Sequence, residues 1–258
     1  MTANFAPHLL ARIETAGLNA SAPPQQSELD GWLIRLSPGK AKRTRCVNAI
    51  RSGSMPLAQL LARCAQVFDE AGLPLIIRIT PFTQPVQLDQ YLAEMGLVRF
   101  DDTRVMVLED LTHLTAPQLP PGLRIVLPNH EQYAQAVGQL RGSSAAQIDA
   151  QAHRLRDSAV PYVGVLWQRD GLVAACGQYA LEDDLVGLYD VFVSPAERGQ
   201  SLSRHLCAQM LLQARDAGAK HAYLQVEGDN HPARRTYAHL GFVDGYAYHY
   251  RCTDPSTA

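Results

Sequence analysis

The segment RGQSLS, Arg198–Ser203, has the composition and the position of an anion-binding loop. It follows the apolar stretch Val191–Val193 and precedes a segment in which Leu202, Leu206 and Met210 recur at helical spacing. At such a strand, loop and helix junction, the unbonded amides of the first helical turn and the positive end of the helix dipole attract an anion. The loop therefore predicts a bound phosphate group. Many α/β proteins use this arrangement for nucleotides, so the loop alone does not identify the ligand.

A second polar segment, Asn230–Phe242, follows an apolar strand at Ala222–Glu227. Asn230 is placed to cap a helix, and Gly241 is placed to end it. Ala233, Tyr237 and Leu240 fall on one face of that helix, at the spacing i, i+4 and i+7. The helix therefore presents a phenol next to the strand that follows the anion loop.

Together the two segments resemble motifs of the GNAT superfamily of N-acetyltransferases. RGQSLS is similar to the R-x-x-G-x-G/A pyrophosphate loop of that family, and NHPARRTYAHLGF is similar to its Asn, Ala, Tyr and Leu-Gly-Phe segment. Both occur in the family's order and separation, and the similarity covers roughly residues 122–251. One departure is Ser201, which stands where the family has Gly, and Ser203 is a second small residue other than Gly.

The resemblance implies an enzyme that moves an acetyl group from acetyl-CoA to a primary amine of a small molecule or peptide, by direct attack in a ternary complex. Backbone groups of the strand would hold the pantetheine arm, the loop would hold the pyrophosphate, and the next helix would complete the cofactor site. The implied cofactor contacts are Phe192, Val193, Arg198, Gly199, Gln200, Ser201, Leu202, Ser203, Arg204, Asn230 and Ala233. The Asn230 cap is equally explained without a ligand, and Phe192 and Val193 also suit a strand core.

Tyr237 is the predicted general acid. A phenol with an unperturbed pKa of about 10 stays protonated at neutral pH and can donate a proton to a leaving thiolate. Its alternative is a packing role on the Ala233 and Leu240 face. Asp190 and Glu227 are alternative general bases, because each carboxylate lies on a strand close to the expected acyl site. A carboxylate at such a position is more often an ordinary strand-end residue than a general base.

Two other functions compete with acetyl transfer. GQSLS resembles the G-x-S-x-G nucleophile elbow of serine hydrolases, but seven residues separate Val193 from Ser201 and the final Gly is missing, so the context of an elbow is absent. The other candidate is a non-catalytic acyl-CoA sensor or interaction module on a GNAT scaffold, since Ser201 replaces a Gly. Tyr237 favours the enzyme, because a binding module gains little from a phenol at the sulfur.

The composition is that of a globular protein of 258 residues, with 47% hydrophobic and 19% charged residues. A net charge of −2 and a pI near 6.5 argue against a nucleic-acid partner or an anionic membrane surface. No apolar run approaches the roughly 18 residues of a membrane span, and the first residues lack the features of a signal peptide. Five scattered cysteines without C-x-x-C predict reduced thiols in the cytoplasm, and nine histidines without ligand spacing predict no metal. The protein is expected to be a monomer or homodimer.

The order of elements repeats along the chain. Helix, Gly72, strand, helix and Gly96 in the first half mirror helix, Gly218, strand, helix and Gly241 in the second. Aligning these glycines sets Met55 opposite Ser201, Pro85 close to Asn230 and Leu92 opposite Tyr237, so the first half keeps the architecture without the chemistry. We predict an α/β (α+β) protein of two GNAT-like acyl-CoA N-acyltransferase domains, each a mixed, mostly antiparallel sheet flanked by helices. The predicted segments are a degenerate domain at 1–110, a Pro-rich linker at 111–121 and a catalytic domain at 122–258.

Periodicity predicts the remaining elements. Helices are expected at 7–17, 57–71 and 86–95, and strands at 32–36, 75–80, 100–109 and 123–127. Asn129 and Gln132 form a predicted capping box. A three-stranded meander is expected over 162–193, and a last strand at 246–251 places Tyr246, Tyr248 and Tyr250 on one face, where they line a pocket or form an interface.

Overall fold

The computed structural model describes residues 5–37, 39 and 41–257. In chain order, the helices of this part are α1 (Pro7–Ala20), α2 (Leu57–Glu70), α3 (Leu88–Glu94), α4 (His130–Arg141), α5 (Ala145–Arg156), α6 (Leu202–Asp216) and α7 (His231–Ala238). The strands are β1 (Gln26–Leu29), β2 (Trp32–Arg35), β3 (Val47–Ala49), β4 (Ile77–Ile79), β5 (Val98–Leu108), β6 (Leu123–Val126), β7 (Tyr162–Arg169), β8 (Leu172–Glu182), β9 (Leu185–Val193), β10 (His221–Glu227) and β11 (Val243–Cys252).

The chain forms two compact units. Unit 1 contains the chain up to Ala20 together with Val105–Val226 and Asn230–Gly245. Unit 2 contains Ser21–Arg104, Glu227–Asp229 and the chain from Tyr246 onward. The units are interleaved along the chain, whereas the predicted domains 1–110, 111–121 and 122–258 are contiguous segments. Those domain boundaries stay a prediction.

Unit 1 is built on a mixed sheet with the strand order β6, β7, β8, β9, β10. The pairs β6/β7, β7/β8 and β8/β9 are antiparallel, and β9/β10 is parallel. Gly164 lies under the ring of Tyr133 in α4, and Gly177 lies under Met210 in α6. Because Gly177 pairs with Val165, the neighbour of Gly164, these two glycines point to opposite faces of the sheet. Helices α4 and α6 therefore cover opposite faces.

Unit 2 is built on a smaller mixed sheet with the order β1, β2, β3, β4, β11. The pair β3/β4 is parallel, and the other three pairs are antiparallel. Helices α2 and α3 bury Leu61, Phe68, Leu88 and Leu92 in its core. The predicted fold class is confirmed: the sheets are mixed, mostly antiparallel and flanked by helices.

Two helices, α4 and α5, begin with a capping box. The predicted capping box is confirmed, since Asn129 Oδ1 accepts a bond from the Gln132 amide at 2.8 Å and Gln132 Oε1 accepts one from the Asn129 amide at 3.1 Å. A second capping box, Ser144 with Gln147, starts α5. The sequence analysis did not predict α5, although the pattern S-A-A-Q carried the signal.

The three tyrosines of the last strand are part of the unit 2 core. Tyr246, Tyr248 and Tyr250 are all buried. The Arg78 guanidinium carbon lies 3.9 Å from the centre of the Tyr248 ring, and the rings of Tyr250 and Phe100 lie 5.7 Å apart. Of the two alternatives left open by the sequence, neither a pocket lining nor an exposed interface describes these side chains.

All five cysteines are buried free thiols. Among residues 5–37, 39 and 41–257, no helix is long and apolar enough to cross a membrane.

Candidate functional site

The loop between β9 and α6 presents a row of backbone amides. A single 3₁₀ turn, Pro195–Glu197, follows β9, and α6 begins at Leu202, whose buried side chain anchors the first turn. Gly199 has φ +82° and Ser201 has φ +57°, both in the left-handed region. Within the part of the chain that the structure describes, the amides of Gly199–Ser203 make no hydrogen bond to other residues. They remain available to a ligand.

The charges around this loop favour an anion. Glu197, which directly precedes the loop in the sequence, accepts bonds from Arg169 Nε at 3.1 Å and from Gln200 Nε2 at 3.0 Å. Neither Arg198 nor Arg204 forms an ion pair with any residue that the structure describes. The negative charge of Glu197 is thus matched locally, and two guanidinium groups are left for a ligand.

A nucleotide diphosphate fits these residues. A Cβ built on Gly199 would meet no atom within 4 Å, so the backbone there is open to close approach. Ser201 is the N-terminal cap of α6, but its side chain makes no capping hydrogen bond, which leaves its hydroxyl available. Amides, a helix N-terminus and arginine are the groups that proteins use to bind phosphates.

The end of β9 has one open edge. Phe192 and Val193 pair with Cys176 and Ala175 of β8, whereas the pairing with β10 ends at Leu188. Within the described chain, the other edge of Phe192 and Val193 therefore carries backbone groups without a partner strand. An extended ligand with amide groups can bind there as an added strand does. This is the geometry that the resemblance implies for the pantetheine arm.

Tyr237 lies on the packing face of α7. Asn230 caps this helix, its Oδ1 accepting a bond from the Ala233 amide at 3.2 Å. Ala233 and Tyr237 pack against the unit 1 core, and the Tyr237 ring lies 6.2 Å from that of Phe242. Burial, and then the electrostatic effect of the nearby Cys207, raise the pKa of Tyr237 well above its ordinary value. The phenol is therefore protonated throughout the neutral range.

Asp190 occupies a bulge in β9. The register between β8 and β9 shifts between Cys176 and Gln178, and Asp190 takes φ +52°. Its carboxylate accepts bonds from Gln178 Nε2 at 2.8 Å and Gln151 Nε2 at 3.1 Å, and Arg141 Nη1 lies 3.4 Å away. Residues in this backbone region are concentrated at functional sites because their strain must be held by surrounding structure. Three side chains from three elements hold this carboxylate.

The other predicted base is placed differently. Glu227 is exposed at the end of β10 and belongs to unit 2, whereas Asp190, the anion loop and Tyr237 all belong to unit 1. Sequence reasoning missed Arg141, Gln151 and Gln178. The only available signal was a polar Gln178 inside the apolar run LVAACGQYAL.

Comparisons with known proteins find similarity to one family over this site. Residues 129–242 match the model of the acetyltransferase (GNAT) family. An uncharacterised N-acetyltransferase of Bacillus subtilis (strain 168), YobR, is 24% identical over 232 residues, covering 88% of this chain and 91% of that protein.

Two solved structures share the fold. A GCN5-related N-acetyltransferase from Kribbella flavida matches with a TM-score of 0.69 and 17% identity, over 98% of this chain and 97% of that one. A tandem GNAT protein from the clavulanic acid biosynthesis pathway matches with a TM-score of 0.62 and 18% identity, over 77% of this chain and 70% of that one.

Proposed function

The chain contains a domain of the acetyltransferase (GNAT) family, and from this premise we propose that it transfers an acetyl group from acetyl-CoA to a primary amine by direct attack in a ternary complex. The observation that carries the proposal is the row of unbonded amides at Gly199–Ser203, at the start of a helix that packs against the helix of the protonated Tyr237. An anion site and a proton donor on neighbouring helices suit a phosphate-bearing thioester.

Cofactor binding is assigned to three groups of residues. Arg198 and the amides of Gly199–Ser203 bind the pyrophosphate, and Arg204 adds positive charge beside it. The open edge of Phe192 and Val193 binds the amides of the pantetheine arm, and the start of α7 at Asn230 and Ala233 borders the same arm. Acetyl-CoA supplies the activated acetyl thioester. The protein supplies orientation, which accounts for a large share of the rate in such two-substrate reactions.

Three proton movements accompany the transfer. The acceptor ammonium loses a proton to Asp190, directly or through a water, and the neutral nitrogen then forms a bond to the acetyl carbon as the carbon–sulfur bond breaks. Tyr237 Oη holds the proton that goes to the departing sulfur, and the second proton that the nitrogen loses as the amide forms restores the phenol. We favour Asp190 over Glu227 because Asp190 lies in the unit that holds Tyr237 and the anion loop, and because its carboxylate is held by donors from α4, α5 and β8.

The first half is proposed to be a degenerate GNAT-like domain. Leu92 stands opposite Tyr237 in the aligned halves and is fully buried among apolar side chains. This half therefore has no phenol at the position from which a thiolate would be protonated.

Calorimetry with acetyl-CoA, paired with a thiol-release assay, tests the function. We expect Arg198→Ala to weaken acetyl-CoA binding about 10- to 100-fold, the effect of losing a charge-assisted hydrogen bond. Arg156→Gln is the matched control, because Arg156 is exposed on α5 and pairs with Glu131 at 3.1 Å. No binding of acetyl-CoA would overturn the proposal. Binding without thiol release across an amine panel would favour the non-catalytic acyl-CoA-binding module instead.

A further inference from the structure

Arg141 is a charged residue of unit 1 to which the proposed reaction gives no role toward the substrate. It is the last residue of α4, and Gly142 ends the helix in the left-handed conformation. Its Nη1 lies 3.4 Å from Asp190 Oδ1, and its guanidinium carbon lies 5.4 Å from the centre of the Phe192 ring. Arg141 thus lies close to both the proposed base and the Phe192 ring, two residues further along the same strand.

The ion pair between Arg141 and Asp190 is loose. Its 3.4 Å separation exceeds the roughly 2.7–2.9 Å of a charge-assisted hydrogen bond. The side chains remain 36% and 21% exposed, so water screens their attraction and a ligand loses little by separating them. Arg141 has further N–H donors and Asp190 Oδ1 has further lone pairs, so both groups can bind a ligand.

Two residues near Asp190 have a buried polar atom without a hydrogen bond in the described part of the chain. Gln178 donates one amide N–H to Asp190, and its Oε1 is one of these atoms. The hydroxyl of Tyr133 is buried without a partner in the same part of the chain. Tyr133 lies over Gly164, where a Cβ would come within 2.5 Å of its ring. A ligand group with several N–H donors, such as an ammonium, suits the Asp190 end of the ion pair.

We propose that the acceptor is a zwitterionic α-amino acid, with its ammonium on Asp190 and its carboxylate on Arg141. This inference rests on the proposed function and names the substrate class of the same site. The two protein charges are adjacent and opposite, as are the charges on either side of an α-carbon. A polycation would satisfy only Asp190 and would be repelled by Arg141, whereas a zwitterion satisfies both.

The protons balance in three transfers. The α-ammonium gives one proton to Asp190, and the neutral nitrogen forms a bond to the acetyl carbon. As the carbon–sulfur bond breaks, the sulfur takes the proton of Tyr237, and the second proton that the nitrogen loses in becoming an amide restores the phenol. Asp190 then releases its proton to solvent. Arg141 does not touch the reacting atoms. It is a specificity-determining residue that binds the carboxylate and fixes the orientation of the amine.

Matched acceptors provide the test. The wild-type protein is assayed with α-amino acids of varied side chain, with their methyl esters and with the corresponding decarboxylated amines, for example leucine against isopentylamine and lysine against cadaverine. We expect kcat/KM for the best free acid to exceed that of its ester and its amine by about tenfold or more, because both lack the carboxylate that Arg141 binds.

Arg141 variants make the test specific. Arg141→Gln should raise KM for the free acid about tenfold or more with a smaller change in kcat. Because Arg141 also contacts Asp190, the ester should lose some activity too, so the expected result is a fall of about tenfold in the ratio of kcat/KM for the free acid to kcat/KM for the ester. Arg141→Lys should keep part of the preference. Arg156→Gln should behave like the wild type, because Arg156 is exposed and binds Glu131 at the surface.

The outcomes separate the two levels of inference. Acetylation of esters and amines at the same rate as free acids, or an unchanged preference in Arg141→Gln, would overturn the zwitterion proposal and leave acetyl transfer standing. Absence of acetyl-CoA binding would overturn both. A preference for free acids that disappears in Arg141→Gln would support the inference.

Discussion

The helix starts of α2 and α6 hold equivalent places in the two aligned halves and treat their amides differently. Before α2, the amides of Ser54 and Met55 donate to the Asp30 carboxylate at 3.1 and 2.8 Å. Before α6, the amides of Gly199–Ser203 bind no residue in the part of the chain that the structure describes. The first half thus supplies its own anion, and the second leaves the same kind of position for a ligand. A single carboxylate therefore makes one helix start structural and leaves the other free for the proposed binding site.

Helices α3 and α7 also differ, because the first has an apolar residue where the second has a polar one. Leu92 of α3 is fully buried in an apolar core, whereas Tyr237 of α7 packs on its core with a protonated phenol. Gly53 completes the first loop, since a Cβ there would lie 2.1 Å from the Asp30 carboxylate. Two residues therefore distinguish the halves. The Asp30 carboxylate fills the loop of the first half, and the Tyr237 phenol stands on the helix of the second.

The largest expected effect is on turnover. Tyr237→Phe should lower kcat about 10²- to 10³-fold, because general acid catalysis contributes roughly 10²–10⁴-fold, and should leave acetyl-CoA affinity within about twofold. A thiol-release assay measures kcat, and calorimetry measures the affinity for acetyl-CoA. Tyr91→Phe is the matched control in α3, next to Leu92, and should leave both unchanged. Equal losses in the two variants would remove the distinction between the halves.

Glycine substitutions should separate stability from binding. Gly53→Ala places a Cβ 2.2 Å from the Asp30 carbonyl oxygen, so we expect a loss of about 1–3 kcal/mol in unfolding free energy and unchanged acetyl-CoA binding. Gly199→Ala meets no atom within 4 Å, so its main effect should be weaker acetyl-CoA binding, beside a strain of about 1 kcal/mol from φ +82°. Urea denaturation and calorimetry check both. A Gly199→Ala variant that binds acetyl-CoA as the wild type does would contradict the anion site.

Glycine substitutions at Ser201 and Met55 should give a smaller difference, in this case in stability. Ser201→Gly relieves the left-handed φ of +57° and should raise stability by up to about 1 kcal/mol, while Ser201→Ala keeps the strain and gains nothing. Met55 packs against the unit 2 core, so Met55→Gly should lose stability. Thermal unfolding of the three variants measures the difference. A stabilising Met55→Gly would contradict this contrast, because the two positions would then respond to glycine in the same way.

The smallest expected effect is on the stability of the protein at acidic pH. Bonds from the backbone amides of Met55 and Ser54 lower the pKa of Asp30 below its ordinary value. Because the folded pKa lies below the unfolded one of about 3.9, this contribution is present above that pH and is lost as the pH falls through the folded pKa. Asp30→Asn should remove it. The wild type should therefore lose more stability than Asp30→Asn between about pH 5 and pH 3, as measured by urea unfolding.

Each unit carries its own fluorescent probe for these measurements. Trp32 is buried in unit 2 and Trp167 in unit 1. Emission from the variant Trp167→Phe follows unit 2 alone. If Asp30→Asn changed only the signal of Trp167, the assignment of the effect to the first helix start would fail.

The sequence alone determined the features that depend on neighbouring residues. Capping patterns, glycines that end helices and apolar periodicity set the elements, because these interactions span only a few positions. The spacing of Arg198, Gly199 and Tyr237 was enough to indicate the family. The same reasoning predicted the repeated order of helix, strand and helix in the two halves.

Only the tertiary structure decided which residues meet across long separations. Asp190 is held by Gln151 and Arg141, 39 and 49 residues away, and Asp30 reaches Met55 across 25 residues. Strands β5 and β11 each give residues to both compact units. No local pattern specifies such pairings, because strand partners and side-chain contacts at a bulge are chosen by the packing of the whole sheet.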